Sequence, residues 1–177
     1  MYIAMSTELP SKGADKLHSA ARVTIVASTY NEKYTTALLE NCLAELKEYE
    51  DLIKVHIVRV PGAFEVPMMV KRSIVAAADN TRPDAVIALG VILRGSTAHA
   101  DLIGESITRQ LLTTSCDTLT PVIHEVLLLD NEQQAFARCI AASLNRGREA
   151  ARAAIGMLDL LENERMTARI RNRKSLS

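Results

Sequence analysis

Asp84 to Leu93 reads DAVIALGVIL, and Arg94-Gly95-Ser96-Thr97 follows it. From Ala85 to Leu93 no position carries a polar side chain. A strand with one wet face alternates polar and apolar residues. A run apolar on both faces is the pattern of a central parallel strand covered from each side. The flanking sequence supplies the rest of such a sheet. Val23–Ser28 (VTIVAS) and Lys54–Val60 (KVHIVRV) are shorter β-branched runs before it, and Pro121–Leu129 (PVIHEVLLL) follows it. After the first run, Leu38, Leu39, Cys42, Leu43 and Leu46 recur at helical spacing. After the second, residues 65–78 place Val66, Met69, Val70, Ile74 and Ala77 on one helical face, with Pro67 near the start, where proline is tolerated. After the third, a helix from about Ala100 to Cys116 has Leu102, Ile103, Ile107, Leu111 and Leu112 as its apolar face. The fourth is followed by a helix from Asn131 to about Ala142. Asn145-Arg146-Gly147 interrupts it, and a last helix runs to about Glu164. This alternation predicts an α/β domain: three layers, αβα, around a four-stranded parallel sheet with right-handed crossovers.

Composition narrows the function. Lysine plus arginine and aspartate plus glutamate each number 21 in 177 residues, so the formal charge is zero, which argues against a nucleic-acid partner. One domain is expected at this length. The cysteines, Cys42, Cys116 and Cys139, have no short spacing, so neither a zinc motif nor a paired redox motif is expected. Buried thiols in a reducing, cytoplasmic setting are the simple reading. No apolar run has the roughly 18 residues of a membrane helix, so no membrane partner is expected. Residues 1–21 read as a flexible arm, 22–165 as the domain, and 166–177 as a basic tail carrying Arg169, Arg171, Arg173 and Lys174.

In open parallel sheets the ligand site lies outside the carboxyl ends of the strands. The loops at 29–32, 61–65, 94–99 and 128–131 are therefore the ones that matter. Neither a GxGxxG fingerprint nor a P-loop is present. Tyr30 and Asn31 occupy the first loop, and Tyr30 is one of only six aromatic residues. It reads either as a stacking ring or as an ordinary loop tyrosine. In the second loop Gly62 permits close approach of the main chain. Phe64 and Glu65 stand ready to cover an apolar ligand part and to accept hydroxyl hydrogen bonds, or to fill the core and complement a helix start. The third loop, Gly95-Ser96-Thr97, opens a helix whose free N–H groups suit an anion. His99 is a candidate general base there, because imidazole accepts protons near neutral pH. Arg138, among Gln133, Gln134 and Phe136, is a candidate phosphate grip or a plain surface arginine.

Together these motifs resemble the lumazine synthase family. Tyr30-Asn31 is similar to its Phe-Asn pair, and Val60-Pro61-Gly62-Ala63-Phe64-Glu65-Val66-Pro67 to its Val-Pro-Gly-Ala-Phe-Glu-Ile-Pro block. Ala88 through His99 (ALGVILRGSTAH) resembles its Ala-Leu-Gly-x-Val-Ile-(Arg/Lys)-Gly-x-Thr-x-His block. Glu132-Gln133 through Arg138 resembles its Glu-Gln-Ala-x-x-Arg segment, and Asn145-Arg146-Gly147 with Glu149-Ala150-Ala151 its ending. The match runs in order from about residue 22 to residue 162.

The resemblance implies a flavodoxin-like fold. It also implies condensation of 5-amino-6-(D-ribitylamino)uracil with 3,4-dihydroxy-2-butanone 4-phosphate, without metal or organic cofactor. It implies Tyr30 stacking on the pyrimidine beside Asn31, and Ala63, Phe64 and Glu65 around the ribityl chain. Ile92 and Leu93 would frame the pyrimidine, with Gly95, Ser96 and Thr97 on phosphate, Arg138 joining from a neighbouring subunit, and His99 as proton acceptor. It implies a homopentamer, and the short 143–147 connection is compatible with twelve pentamers in a 60-mer shell. The chain departs from the family at Ala100, at His124-Glu125 in place of Phe-Gly, at Leu128, at Ala142 and at Arg146. His124 is the candidate to replace the phenylalanine that walls the pyrimidine pocket. Two other readings share the fold: a non-catalytic flavin- or lumazine-binding shell, and an archaeal-type riboflavin synthase.

Overall fold

The computed structural model describes residues 17–174. Its sheet comprises β1 (Ala21–Ser28), β2 (Ile53–Val60), β3 (Ala85–Leu93) and β4 (Val122–Leu129), all parallel, in the order β2-β1-β3-β4. The expected three-layer α/β architecture is the one observed. Helices α1 (Glu32–Leu46) and α5 (Arg146–Lys174) cover one face, and α2 (Val66–Val75) and α3 (His99–Thr118) the other. The period of two in β3 divides its side chains between the faces. Ala85, Ile87, Leu89 and Val91 pack under α1 and α5, while Val86 and Ala88 pack under α2 and α3, all of them buried.

On the first face three alanines, Ala150, Ala151 and Ala154, are fully buried and let α5 lie close to α1. An ion pair joins the two helices, Arg152 Nε to Glu45 Oε1 at 2.7 Å, largely shielded from water. Gly147 marks the tightest approach. A Cβ there would lie 2.2 Å from the Leu38 carbonyl oxygen.

Several boundaries differ from those the sequence suggests. The helix expected over 131–142 is a four-residue α4 (Glu132–Ala135) that widens into a π-turn, Phe136–Ile140. The chain then straightens at Ala141 and is caught by Asn145. The buried Asn145 side chain donates to the Cys139 carbonyl at 2.7 Å and accepts from the Gly147 N–H at 3.0 Å, closing the turn and starting α5 together. Arg146 and Gly147 thus open α5 rather than interrupt a helix. That helix continues to Lys174, ten residues past Glu164, because its Met, Ala, Arg and Lys residues favour helix. α2 stops at Val75 instead of Ala78. Strand β1 starts at Ala21, whose N–H bonds the Leu52 carbonyl. Leu17 is buried against the α1/α5 face, and the His18 N–H binds Glu162, so residues 17–20 are anchored. The arm expected over 1–21 otherwise lies outside the described residues. Cys42 and Cys139 are buried as expected, and Cys116 is exposed.

Gly147→Ala is expected to destabilise the protein by about 3 kcal/mol, because a backbone carbonyl cannot yield as a side-chain tip can. That is a fall in melting temperature of roughly 6–12 °C for a chain of this size. Gly95→Ala, where a Cβ meets nothing within 4 Å, should melt within a degree or so of the parent. Thermal unfolding of the two variants checks this.

Candidate active site

The order β2-β1-β3-β4 places a topological switch between β1 and β3, and a crevice opens beyond their carboxyl ends. Hydrogen bonds fix the loops around it. The Thr29 N–H bonds the Val60 carbonyl at 2.7 Å and the Tyr30 N–H bonds the Pro61 carbonyl at 2.9 Å, which ties the first loop to the second. Asn31 takes the left-handed conformation, φ 57°, which asparagine tolerates. Its carbonyl accepts from the Tyr34 and Thr35 N–H groups to start α1, and its Nδ2 donates to the Val91 carbonyl at 2.9 Å. One residue therefore starts a helix with its backbone and bridges the switch point with its side chain.

A cavity of about 440 Å³ lies between these loops. It brings together ten of the thirteen residues expected from sequence: Tyr30 and Asn31, Ala63 to Glu65, Ile92 and Leu93, Gly95, Thr97 and His99. Gly62, Val91, Ala100 and Ile103 complete the lining. Ile103 stands one turn beyond His99 on α3, so helical spacing alone could have found it. Tyr30 and Phe64 are 71% and 63% exposed, two rings at the cavity with little to cover them. The Glu65 carboxylate folds back over Gly62, where a Cβ would lie 2.9 Å from Oε2. It makes no hydrogen bond among the described residues, so its acceptors remain available to a ligand. A small polar molecule with a flat ring and hydroxyls matches this set.

At the far end no side chain caps the first turn of α3, so its N–H groups are open to an anion. The nearby Arg94 is already committed. Its guanidinium binds Asp101 at 2.5 Å and also Asp130, while its N–H bonds the Leu129 carbonyl at 2.8 Å. Hydrogen bonds from Gln134, then from Arg94, hold the Asp130 carboxyl below its ordinary value. Arg94 thus clamps the third and fourth loops, and an anion at the start of α3 would meet the backbone N–H groups and Thr97 instead.

Three expected residues are not at this cavity within one chain. Ser96 belongs to the loop but not to the lining. Arg138 lies on the π-turn, half-buried, with no hydrogen bond or ion pair among the described residues. His124 lies on the α3 side of β4. Its Nδ1 accepts from the Val126 N–H at 3.1 Å, so Nε2 carries the proton and donates to Thr108 Oγ1 at 2.8 Å. Thr108 in turn donates to the Gly104 carbonyl. Burial lowers the His124 pKa, in keeping with a neutral ring. The neighbouring Glu125 points to the other face. It is buried, and burial above all raises its carboxyl from 4.5 to about 8.

The sequence model of one family, described as 6,7-dimethyl-8-ribityllumazine synthase, matches residues 20–162. A protein of that name from Chlorobium phaeobacteroides is 42% identical over 142 residues, covering 79% of this chain and 88% of its own. Those from Thermococcus gammatolerans and Protochlamydia amoebophila are each 37% identical. They cover 79% and 81% of this chain and 87% and 82% of their own.

The raised Glu125 carboxyl has a signed effect on stability. A carboxyl whose folded pKa exceeds its unfolded one contributes stability that is complete below about 4.5 and is lost as pH rises through about 8. Glu125→Gln removes that loss. The variant should gain on the parent through this window, by on the order of 4 kcal/mol at its upper end, as read by denaturant unfolding at a series of pH values.

Proposed function

The chain belongs to the 6,7-dimethyl-8-ribityllumazine synthase family, and we propose that its strand-end cavity is where that chemistry takes place. The reaction, a transferase step of riboflavin biosynthesis, condenses 5-amino-6-(D-ribitylamino)uracil with 3,4-dihydroxy-2-butanone 4-phosphate. The amine and ketone form an imine with loss of water. Phosphate is then eliminated, the second amine closes the ring, and a second water leaves. The family and its named relatives favour this enzyme over a non-catalytic shell of the same fold.

The observation that carries the site assignment is the convergence of two exposed rings, an unengaged carboxylate, an uncapped helix start and a histidine around one 440 Å³ cavity. Tyr30 stacks on the pyrimidine, with Ile92 and Leu93 at its edge. Asn31 holds the loop that presents Tyr30. Glu65 accepts from the ribityl hydroxyls, with Ala63 and Phe64 lining that end. Gly95, Ser96, Thr97 and the first turn of α3 receive the phosphate. His99 takes the proton that the amine gives up. Most of the acceleration comes from holding the two substrates in register, with proton transfer added.

Arg138 reaches the phosphate of a neighbouring subunit's site. Its lack of a hydrogen bond or ion pair among the described residues supports this, since a half-buried guanidinium not already bound to a carboxylate is suited to an incoming anion. His124 likewise approaches the neighbour's pyrimidine from β4. The assembly is a homopentamer, by itself or as one of twelve in a shell, working in the cytoplasm. The exposed Met68, Val75, Leu102 and Leu112 on α2 and α3 supply apolar surface for it.

His99→Ala should lower kcat by about 10² or more, the usual worth of a positioned base. Arg138→Ala should raise KM for the butanone phosphate by about 10–100-fold, the worth of a hydrogen-bonded charge. Lumazine absorbance reads both. Co-assembling the two impaired variants should restore activity above that of either alone, because one interface then has an intact His99 and an intact Arg138. No recovery in verified mixed assemblies would show that Arg138 does not cross the interface. Native mass spectrometry should return five or sixty times 19.4 kDa.

A further inference from the structure

Two of the departures from the family pattern, His124 and Leu128, face α3 from β4, and α3 meets both of them. The crossover helix runs back along the strand, so the earlier residue of α3 meets the later residue of β4. A Cβ at Gly104 would lie 3.3 Å from Leu128 Cδ2, and Thr108, one turn on, reaches His124. The imidazole is held at both nitrogens by a chain of hydrogen bonds whose two ends are backbone groups. The Val126 N–H can only donate, so Nδ1 must accept from it, at 3.1 Å. The Gly104 carbonyl can only accept, so the Thr108 hydroxyl spends its one proton there, at 2.8 Å. Between them Nε2–H is left to donate and Thr108 Oγ1 to accept, at 2.8 Å. No other placement of protons satisfies all three bonds. An imidazolium would set an Nδ1–H against the Val126 N–H, so the ring stays neutral for as long as the chain is closed. Ala88 is its partner on β3, Glu105 and Arg109 beside Thr108 on α3 bind each other at 2.6 Å, and Glu125 faces the other side of the sheet. Burial lowers the pKa of the ring and so acts in the same direction. With both nitrogens spent inside the subunit, His124 has no hydrogen bond left for a ligand.

Resting on the reading that His124 walls the pyrimidine of an adjoining site, we propose that Thr108 is a positioning residue that makes this histidine serve as a phenylalanine would. Thr108 fixes the plane and the tautomer of the ring. The wall is then an uncharged π face, and the pyrimidine is held against it by stacking alone. Without the hydroxyl the ring can turn, release the Val126 N–H and take a proton, and the wall becomes a cation whose presence depends on pH.

The test uses the assembled protein. Thr108→Val should raise KM for the ribitylaminouracil about 2–10-fold, the worth of one aromatic stack, with kcat little changed. The ratio of its KM to that of the parent should climb as pH falls from about 8 to about 5, and Thr108→Ser should restore both. In a His124→Phe background the same Thr108→Val change should leave KM unaltered, because no ring nitrogen is there to be held. An equal effect of Thr108→Val in the two backgrounds reduces Thr108 to a packing role and overturns the proposal. Spectra of 15N-labelled histidine supply a readout apart from turnover. The parent should show His124 as the neutral Nε2–H form down to about pH 5, and Thr108→Val a ring that titrates. An Nδ1–H or a charged ring in the parent at neutral pH rejects the proposal, even if the variants fail to assemble. His124→Ala separates the two levels. A KM for the ribitylaminouracil unaltered by that change, with the neutral Nε2–H ring seen in the parent, would remove the reading of His124 as a wall while leaving the hydrogen-bond chain in place.

Discussion

Strand β3 has no polar face, and a strand of that kind is stable only if both sides are shielded from water. The requirement orders the molecule. Ile87, Leu89 and Val91 need α1 and α5, whereas Val86 and Ala88 need α2 and α3, so the helices must divide between the faces. β3 also has to sit inside the sheet, paired to β1 on one side and β4 on the other. Once it does, chain direction reverses its course across the sheet between β1 and β3, and the crevice at their carboxyl ends follows. The site is thus a by-product of where the most apolar strand can be placed.

The loops that line the crevice are held together by hydrogen bonds and ion pairs, from backbone and side chains alike. Asn31 bonds the end of β3, Thr29 and Tyr30 bond the end of β2, and Arg94 gathers Asp101 and Asp130. The local charge at the anion end is consequently modest. A chain with no net charge can still offer an anion site there, since the first turn of α3 has N–H groups without a side-chain cap. Departures from family pattern concentrate on β4, where His124 is absorbed into a hydrogen-bond chain with Thr108 and Glu125 lies among arginines on the opposite face.

The sheet, its helices and most of the crevice could be read from sequence because each depends on local pattern. Apolar runs marked β1, β3 and β4, and the residues right after them had to fall at one end. Other features depended on partners far along the chain. The π-turn at Phe136–Ile140 keeps the apolar spacing of an ordinary helix, and its closure depends on the Asn145 side chain. The charged run after Glu164 has no apolar stripe and so reads as a tail, although its residue types sustain helix. The hydrogen bond between His124 Nε2 and Thr108, on the preceding helix, leaves no sign in the sequence. Glu125 registered as a departure from pattern, but its confinement with Arg138 and Arg146 is a property of the packed face alone.

The stitching of the three loops also bears on speed. Their geometry is set by bonds made within the chain, so the entropy of ordering them is spent in folding and not at each encounter with substrate. No lid has to close for Tyr30, Glu65 and His99 to face one another, and capture of the first substrate need not wait on a slow rearrangement. Any slow step in turnover is then left to motions outside these three loops.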